Sequence, residues 1–502
     1  MLEVLPVVGE GERPTGRVET SVNPARPEEV VARYHRVGPE EAELAVAAAE
    51  RALPGWSSTP AEERAAVLRR AADWLAARRE EAAAWEVVEA AKPWREADAD
   101  VCEAIDFLRY YADGCLRLAA GHAYPSPPGE RNRGRYVARG VAAVIAPWNF
   151  PLAIPTGMTA AALACGNTVC LKPALATVRV GRLLVEALAA AGLPPGVLQY
   201  LPGRGPEVGA ALVEDPRVAL IAFTGSREVG LWILERAARV VAGQRHVKRV
   251  VCEMGGKNAI IVDADADLDE AVAAITASAF GYAGQKCSAC SRVIAVGSVH
   301  GPLLARLGPA VESLQVGDPA DPATQVPPLI DAAAQEKVRR YLAIGEGEGR
   351  CVARAVAPEG GFYVAPALFD GVEAHHRLAR EEIFGPVLSL LRAADLEEAV
   401  AVANATDYAL TGGLLSRHPG HVEFVVDRFQ VGNLYVNRGI TGAIVGRQPF
   451  GGFALSGIGS QAGGPDYLLQ FCLPRTVCEN TLRRGFAPET LAGLGPESEA
   501  TG

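Results

Sequence analysis

The stretch Gly284-Gln-Lys286-Cys287-Ser288-Ala-Cys290-Ser-Arg292 sets a cysteine among glycine, polar and cationic neighbours. A thiol attacks carbon as its thiolate, and nearby charges such as those of Lys286 and Arg292 favour that form. Most cysteines of a long chain are small buried hydrophobes, and Cys287 departs from that pattern by its surroundings. A second stretch, Val250-Val-Cys-Glu253-Met-Gly-Gly-Lys257, is a short β-branched run that ends in a carboxylate and then two glycines. A glutamate at the end of a buried strand is a candidate general base. Cys287-x-x-Cys290 can also be read as a redox pair, oxidising to a disulfide that blocks Cys287, or as half of a zinc site. There is no other C-x-x-C and no i, i+4 pair among the eight histidines, so the pattern argues against a metal. The adjacent His375 and His376 are expected to face different ways.

These residues need elements to hold them. Residues 265 to 282 read as an acid-started, Ala-rich helix ended by Gly281 and Gly284, which leaves Cys287 on a solvent-reachable loop. From Val141 to Val251 strands and helices alternate: 141–146, 168–171, 197–201, 218–223 and 246–251 as strands, with helices over 152–165, 177–191, 207–213 and 227–239. Such alternation predicts an α/β fold with a doubly wound parallel sheet, whose ligands sit at the C-terminal ends of the strands. The distinctive residues fall at those ends: Pro147-Trp148-Asn149-Phe150-Pro151, Lys172-Pro173, Gly203-Arg-Gly205 and Thr224-Gly225-Ser226. Gly203-x-Gly205-x-x-x-Gly209 is a weak phosphate signal. Thr224-Gly225-Ser226-x-x-x-Gly230 is better placed, since it follows a strand and opens a helix.

Residues 1 to about 20 carry little pattern. From Gly38 to Ala91 helical spacing is broken near Pro54 and Pro60, and a further helix covers 96–119, with Glu103 and Asp106 on one face as a solvated acidic surface or a site. Pro125 to Arg139 reads as an exposed excursion. A second α/β pattern runs from Arg292 to about Val431 and contains Glu382-Ile-Phe384-Gly-Pro, and a glycine-rich functional loop follows over 437–453. The tail from Gly485 to Gly502 reads as disordered.

At 502 residues and 49% hydrophobic content, two or three domains are expected. The net charge of −10 comes without a basic stripe, which argues against nucleic acid. The N-terminus lacks a signal-peptide pattern and no apolar run is long enough to span a membrane, so a cytoplasmic protein with reduced cysteines is the default reading.

Taken together, Pro147-Trp-Asn149-Phe-Pro151, Lys172-Pro173, Phe223-Thr-Gly-Ser226-x-x-Val-Gly230, Glu253-x-Gly-Gly-Lys257, Gly284-Gln-x-Cys287-x-Ala, Glu382-Ile-Phe384-Gly-Pro and Pro449-Phe-Gly-Gly452 resemble the NAD(P)-dependent aldehyde dehydrogenase superfamily, in order from about Val22 to Cys472. Glu103-Ala-Ile-Asp-Phe-x-x-Tyr-Tyr, Thr441-Gly-Ala-x-Val-Gly-x-Gln-Pro-Phe450 and the stretch from Ser456 to Leu468 are most similar to its 1-pyrroline-5-carboxylate (glutamate semialdehyde) dehydrogenases. The resemblance implies a cofactor domain (1–124 and 140–252), a catalytic domain (253–440), an oligomerisation element (125–139 and 469–484) and a substrate loop returning to the cofactor domain (441–468). It implies Cys287 as nucleophile, Asn149 and the Cys287 amide as oxyanion donors, and Glu253 as the base that hydrolyses the thioester. Trp148, Lys172, Gly205, Gly209, Thr224, Gly225, Ser226, Gly230, Glu382 and Phe384 would hold NAD. Glu103, Phe150, Ser288, Gly442, Ala443 and Phe450 would hold the aldehyde. A homodimer or larger homo-oligomer is implied. Other semialdehydes, such as succinate semialdehyde, stay open as substrates. The sequence departs from the family pattern at Leu175, where an acidic residue is usual and whose loss would admit NADP, at Cys290, and in an eroded strand pattern before Asn23-Pro24.

Overall fold

The computed structural model describes residues 2–482; the expected disordered tail lies outside them. Its centre is an eight-stranded sheet in the order Gly457–Ile458, Arg249–Glu253, Val218–Thr224, Val141–Ile145, Thr168–Lys172, Leu198–Tyr200, Val7–Val8 and Gly11–Glu12. The middle five strands are parallel, as the alternating pattern requires. Both faces are covered. Val141, Ala143 and Ile145 enter one core with helix Pro39–Ser58, while Ala142 and Val144 enter the other with helices Ala61–Ala76, Trp94–Ala119, Ala153–Ala164 and Val178–Ala190. A strand buried on both sides carries no polar alternation, which is why these runs read as continuous apolar text.

Beyond Glu253 the chain crosses through Met254-Gly255-Gly256-Lys257 into a seven-stranded sheet, ordered Arg350–Arg354, Ala367–Asp370, Val387–Ala393, Cys290–Val296, Asn258–Val262, Thr411–Leu415 and Asn433–Val436. All its pairs are parallel except the first. A third sheet joins Cys472–Asn480, Glu130–Ala138 and His122–Ala123, so the expected excursion is a paired ribbon.

Several expectations change. The N-terminal residues are strands: Leu2–Val4 lies parallel to Arg26–His35, which pairs antiparallel with Val18–Asn23. The pairing of Leu2–Val4 is non-local, and much of Arg26–His35 is exposed and charged, which hides the period-two signal. Helix Pro39–Ser58 continues through Pro54. That proline is exposed near the C-terminal end, and buried Trp56 anchors the last turn by donating from Nε1 to the Leu163 carbonyl at 3.2 Å. The helix before Cys287 is Leu268–Phe280, capped by the Asp267 carboxylate accepting from the Asp269 and Glu270 amides. It ends at Gly281, as expected, where ψ is 131°, and Tyr282 and Ala283 beyond it both adopt φ of 54°. The stretch 207–213 opens with a wide turn over Gly205–Gly209 before helix Ala210–Glu214. The last strand of the first sheet extends through Glu253 instead of ending at residue 251. Among the described residues no helix is long and apolar enough to cross a membrane.

Candidate active site

Sheet register brings the first group of residues together. Ile145 is paired with Lys172 and with Phe223, and Thr224 with Glu253, so the loop after Ile145, the Lys172 side chain, the Thr224–Ser226 turn and Glu253 share one edge. The Cys287 loop meets that edge from the second sheet, just before strand Cys290–Val296. Asn258 holds it there: its Nδ2 donates to the Cys287 carbonyl at 2.7 Å and to the Ala289 carbonyl at 2.9 Å, and its Oδ1 accepts from the Thr411 amide at 3.0 Å. Gly256 passes so near that an added Cβ would lie 2.8 Å from the Cys287 carbonyl oxygen.

Two cavities meet at Cys287, Thr224 and Met254. The smaller, about 110 Å³, is lined by Glu103, Phe150, Glu253, Ser288, Gly442, Ala443 and Phe450, together with Phe107, Met158 and Tyr467. Every residue expected at the aldehyde is thus in one place. The larger, about 410 Å³, is lined by Trp148, Asn149, Lys172, Thr224, Gly225, Ser226, Glu382 and Phe384, and also by Lys337 and Gly255. Gly205, Gly209 and Gly230 do not line it. Gly230 instead lets helix Arg227–Ala237 pack closely, since a Cβ there would lie 2.4 Å from the Met254 sulfur. A Cβ on Gly209 would make ordinary contact with the Lys172 stem, and one on Gly205 would meet open space.

Electrostatics differ from the expected picture at Cys287. Lys286 is committed to Glu96 at 2.6 Å, and the buried Arg292 guanidinium donates to the carbonyls of Lys257, Val402 and Ala403. Neither cation acts on the thiol. Burial, with the carboxylates of Glu382 and Glu253 nearby, pushes Cys287 up to about 12 despite help from the Ser288 and Cys287 amides. Burial also raises the Glu253 carboxyl well above its ordinary value, and its Oε2 has no hydrogen-bond partner among the described residues. Glu382 is raised by burial as well, but it accepts from the Gly256 amide at 3.0 Å, and Lys337 and Lys257 oppose the shift. Glu103 is pushed to about 8 by burial and by Asp100. It does not share its setting with Asp106, which is exposed, so the pair is not one solvated face.

The Asn149 side chain donates to the Gln285 carbonyl at 3.1 Å, leaving its second N–H for another acceptor. Trp148 packs edge-on against Phe384 at 5.6 Å, and Phe384 holds a φ of 61° that a bulky residue rarely adopts. The amides of Gly442 and Ala443 meet no acceptor among the described residues. Cys290 belongs to the core of the second sheet and donates to the Arg292 carbonyl at 3.3 Å, whereas Cys287 faces the cavities; both are free thiols. His375 and His376 do not diverge: their rings are 4.5 Å apart because the Glu373 amide folds back onto His376 Nδ1 at 3.0 Å. Sequence reasoning missed Asn258 and Lys337. Asn258 directly follows the Glu253-x-Gly-Gly-Lys257 motif, which was a usable signal, but Lys337 sits in a helix with several surface charges and had none.

A nucleophile, an unpartnered carboxylate and a spare amide proton can together carry acyl chemistry at a carbonyl carbon. The larger cavity can receive a nucleotide. Lys172 Nζ is buried and, among the described residues, donates only to the Pro173 carbonyl at 2.8 Å, and the helix N-terminus at Ser226 opens into the cavity.

The model of the "Aldehyde dehydrogenase family" matches residues 12–477. A 1-pyrroline-5-carboxylate dehydrogenase of Geobacillus thermodenitrificans is 51% identical over 461 residues, covering 92% of this chain and 90% of that one. The crystal structure of 1-pyrroline-5-carboxylate dehydrogenase from Thermus with bound NAD superposes with a TM-score of 0.93 at 47% identity, covering 95% and 93%. Proline utilization A from Bdellovibrio bacteriovorus superposes at 0.95 with 46% identity, and the chain, 97% covered, spans 51% of that longer protein.

Proposed function

The chain belongs to the aldehyde dehydrogenase family, and from that premise we propose that it oxidises L-glutamate γ-semialdehyde, the open form of 1-pyrroline-5-carboxylate, to L-glutamate with NAD. The observation that carries the substrate is the cavity in which the Ser288 hydroxyl and the Gly442 and Ala443 amides, without an acceptor among the described residues, lie with Glu103, Cys287 and Glu253. Three donors suit an α-carboxylate, Glu103 suits an α-ammonium, and Phe150 and Phe450 suit the methylenes between.

Cys287 attacks the aldehyde carbon, and the oxyanion is met by the Asn149 amide and the Cys287 backbone N–H. NAD, when bound, supplies the hydride acceptor. Its adenosine ribose suits Lys172, its pyrophosphate the Ser226 helix terminus, and its nicotinamide end Glu382 and Phe384. The thioester left on Cys287 is hydrolysed by water that Glu253 deprotonates. Leu175 packs against a core cluster instead of lining the cofactor cavity, so no carboxylate stands there to reject a 2′-phosphate and NADP is admitted. The ribbon of Cys472–Asn480 and Glu130–Ala138, with exposed Leu473, is read as the oligomerisation surface of a cytoplasmic homo-oligomer.

Cofactor-reduction assays over a panel of aldehydes test the substrate. Pyrroline-5-carboxylate should exceed succinate semialdehyde and a neutral aldehyde of similar length in kcat/KM by about 100-fold or more. Parity would return the enzyme to a general semialdehyde dehydrogenase.

A further inference from the structure

Beneath the candidate site lies a buried charge cluster that the reaction as described does not use. Lys92 is completely buried, with Asp100 at 3.2 Å and Glu86 at 3.5 Å from its ammonium. Burying three ionisable groups is costly and weak evidence for stability by itself, so what they touch is informative. The Lys92 ammonium donates to the Asn149 carbonyl at 3.2 Å and sits 4.1 Å above the centre of the Phe150 ring. Asp100 accepts from the Ala153 amide at 3.2 Å, at the start of helix Ala153–Ala164, whose own N-cap, Leu152, offers no side-chain acceptor. One ion pair therefore grips both ends of the turn that carries Asn149 and Phe150. The turn itself has no helix or strand to fix it. Lys92 is aimed inward by Ala91, a buried residue with a φ of 54°, and the Tyr282 hydroxyl holds the neighbouring Ala90 carbonyl at 2.7 Å.

We propose that Lys92 is a positioning residue for the reaction: through the Asn149 carbonyl it aims the Asn149 side-chain amide at the developing oxyanion, with Asp100 clamping the far end of the same turn. Burial lowers the Lys92 ammonium, but Asp100, with Glu86 and Glu96, outweighs it and holds the group above its ordinary value, while burial and Asp100 raise the Glu86 carboxyl well above its own.

The proposal rests on the reading of Asn149 as oxyanion donor, and a double-mutant cycle separates the two. Burst rates of cofactor reduction are measured in single turnover for Asn149→Ala, Lys92→Met and the double variant, with thermal melts alongside. Asn149→Ala should slow the burst about 10²- to 10³-fold. Lys92→Met should slow it about 10²-fold, with the KM for NAD unchanged, and the double variant should be no slower than Asn149→Ala alone. An unchanged burst in Asn149→Ala overturns the oxyanion reading itself. If Asn149→Ala slows the burst while Lys92→Met does not, or if the two losses multiply, only the positioning role falls. Should Lys92→Met not fold, the cycle is run on Glu86→Gln, Lys92→Met and Asp100→Asn combined, which leaves no bare buried charge. The same non-multiplying result is then required.

Discussion

Glu253 and Glu382 face the same cysteine from different cavities, and their surroundings differ in one respect. Glu382 is held by the Gly256 amide, with Lys337 and Lys257 nearby, while Glu253 Oε2 has no partner among the described residues. An anchored carboxylate suits a ligand that must be held still. A desolvated, unpartnered one binds its proton strongly and is free to take one from water. The contrast extends to the cavities: the aldehyde side is tight and lined with aromatic rings, and the cofactor side is wider and crossed by strand ends and a helix terminus. Residue type alone does not distinguish the two glutamates; partners do.

The largest effect should come from the shared cysteine. Cys287→Ala should lower turnover by at least about 10⁴-fold while leaving NAD binding intact, whereas Glu253→Gln should keep a burst of reduced cofactor and stall afterwards. Rapid-mixing absorbance distinguishes them, and a burst lost equally in both would erase the division between the carboxylates. Next is the aldehyde side. Gly442 lines the aldehyde cavity with a φ of 79°, so valine there is strained and shifts the backbone amides of the loop. Gly442→Val should raise the KM for pyrroline-5-carboxylate about 10- to 100-fold and that for a neutral aldehyde far less. Equal losses would make the loop structural.

A smaller effect concerns pH. The Cys287 and Glu253 values are both raised, so both groups gain their active, deprotonated form as pH rises, and alkylation of Cys287 in the cofactor-free enzyme should keep climbing beyond the ordinary thiol range near about 8.5. Glu382→Gln removes one nearby carboxylate and should move that profile to lower pH. No movement would mean that burial and Glu253 hold the thiol without Glu382. The smallest expected change is at Leu175, where Leu175→Glu should shift the NAD over NADP preference by a few-fold, read from the ratio of kcat/KM values. An unchanged ratio would show that the ribose is discriminated elsewhere.

The parallel core strands, the crossover helices and the loops at the strand ends were legible in the sequence, because the hydrophobic period and glycine punctuation are local properties of the chain. Cys287 and Glu253 stood out for the same reason, and Asn149 took its role from the family resemblance. What the sequence left undetermined depends on partners distant along the chain. Lys286 and Arg292 were legible as cations near a thiol, but their pairing with Glu96 and with the carbonyls of residues 257, 402 and 403 removes them from it. Gly230 and Gly209 had the spacing of a phosphate loop, yet one is small to admit Met254 and the other lies beside the Lys172 stem. Charge acts through space and desolvation follows from packing, so the ionisation of Cys287, the isolation of Glu253 and the seating of Lys92 under Asn149 were decided only by the tertiary structure.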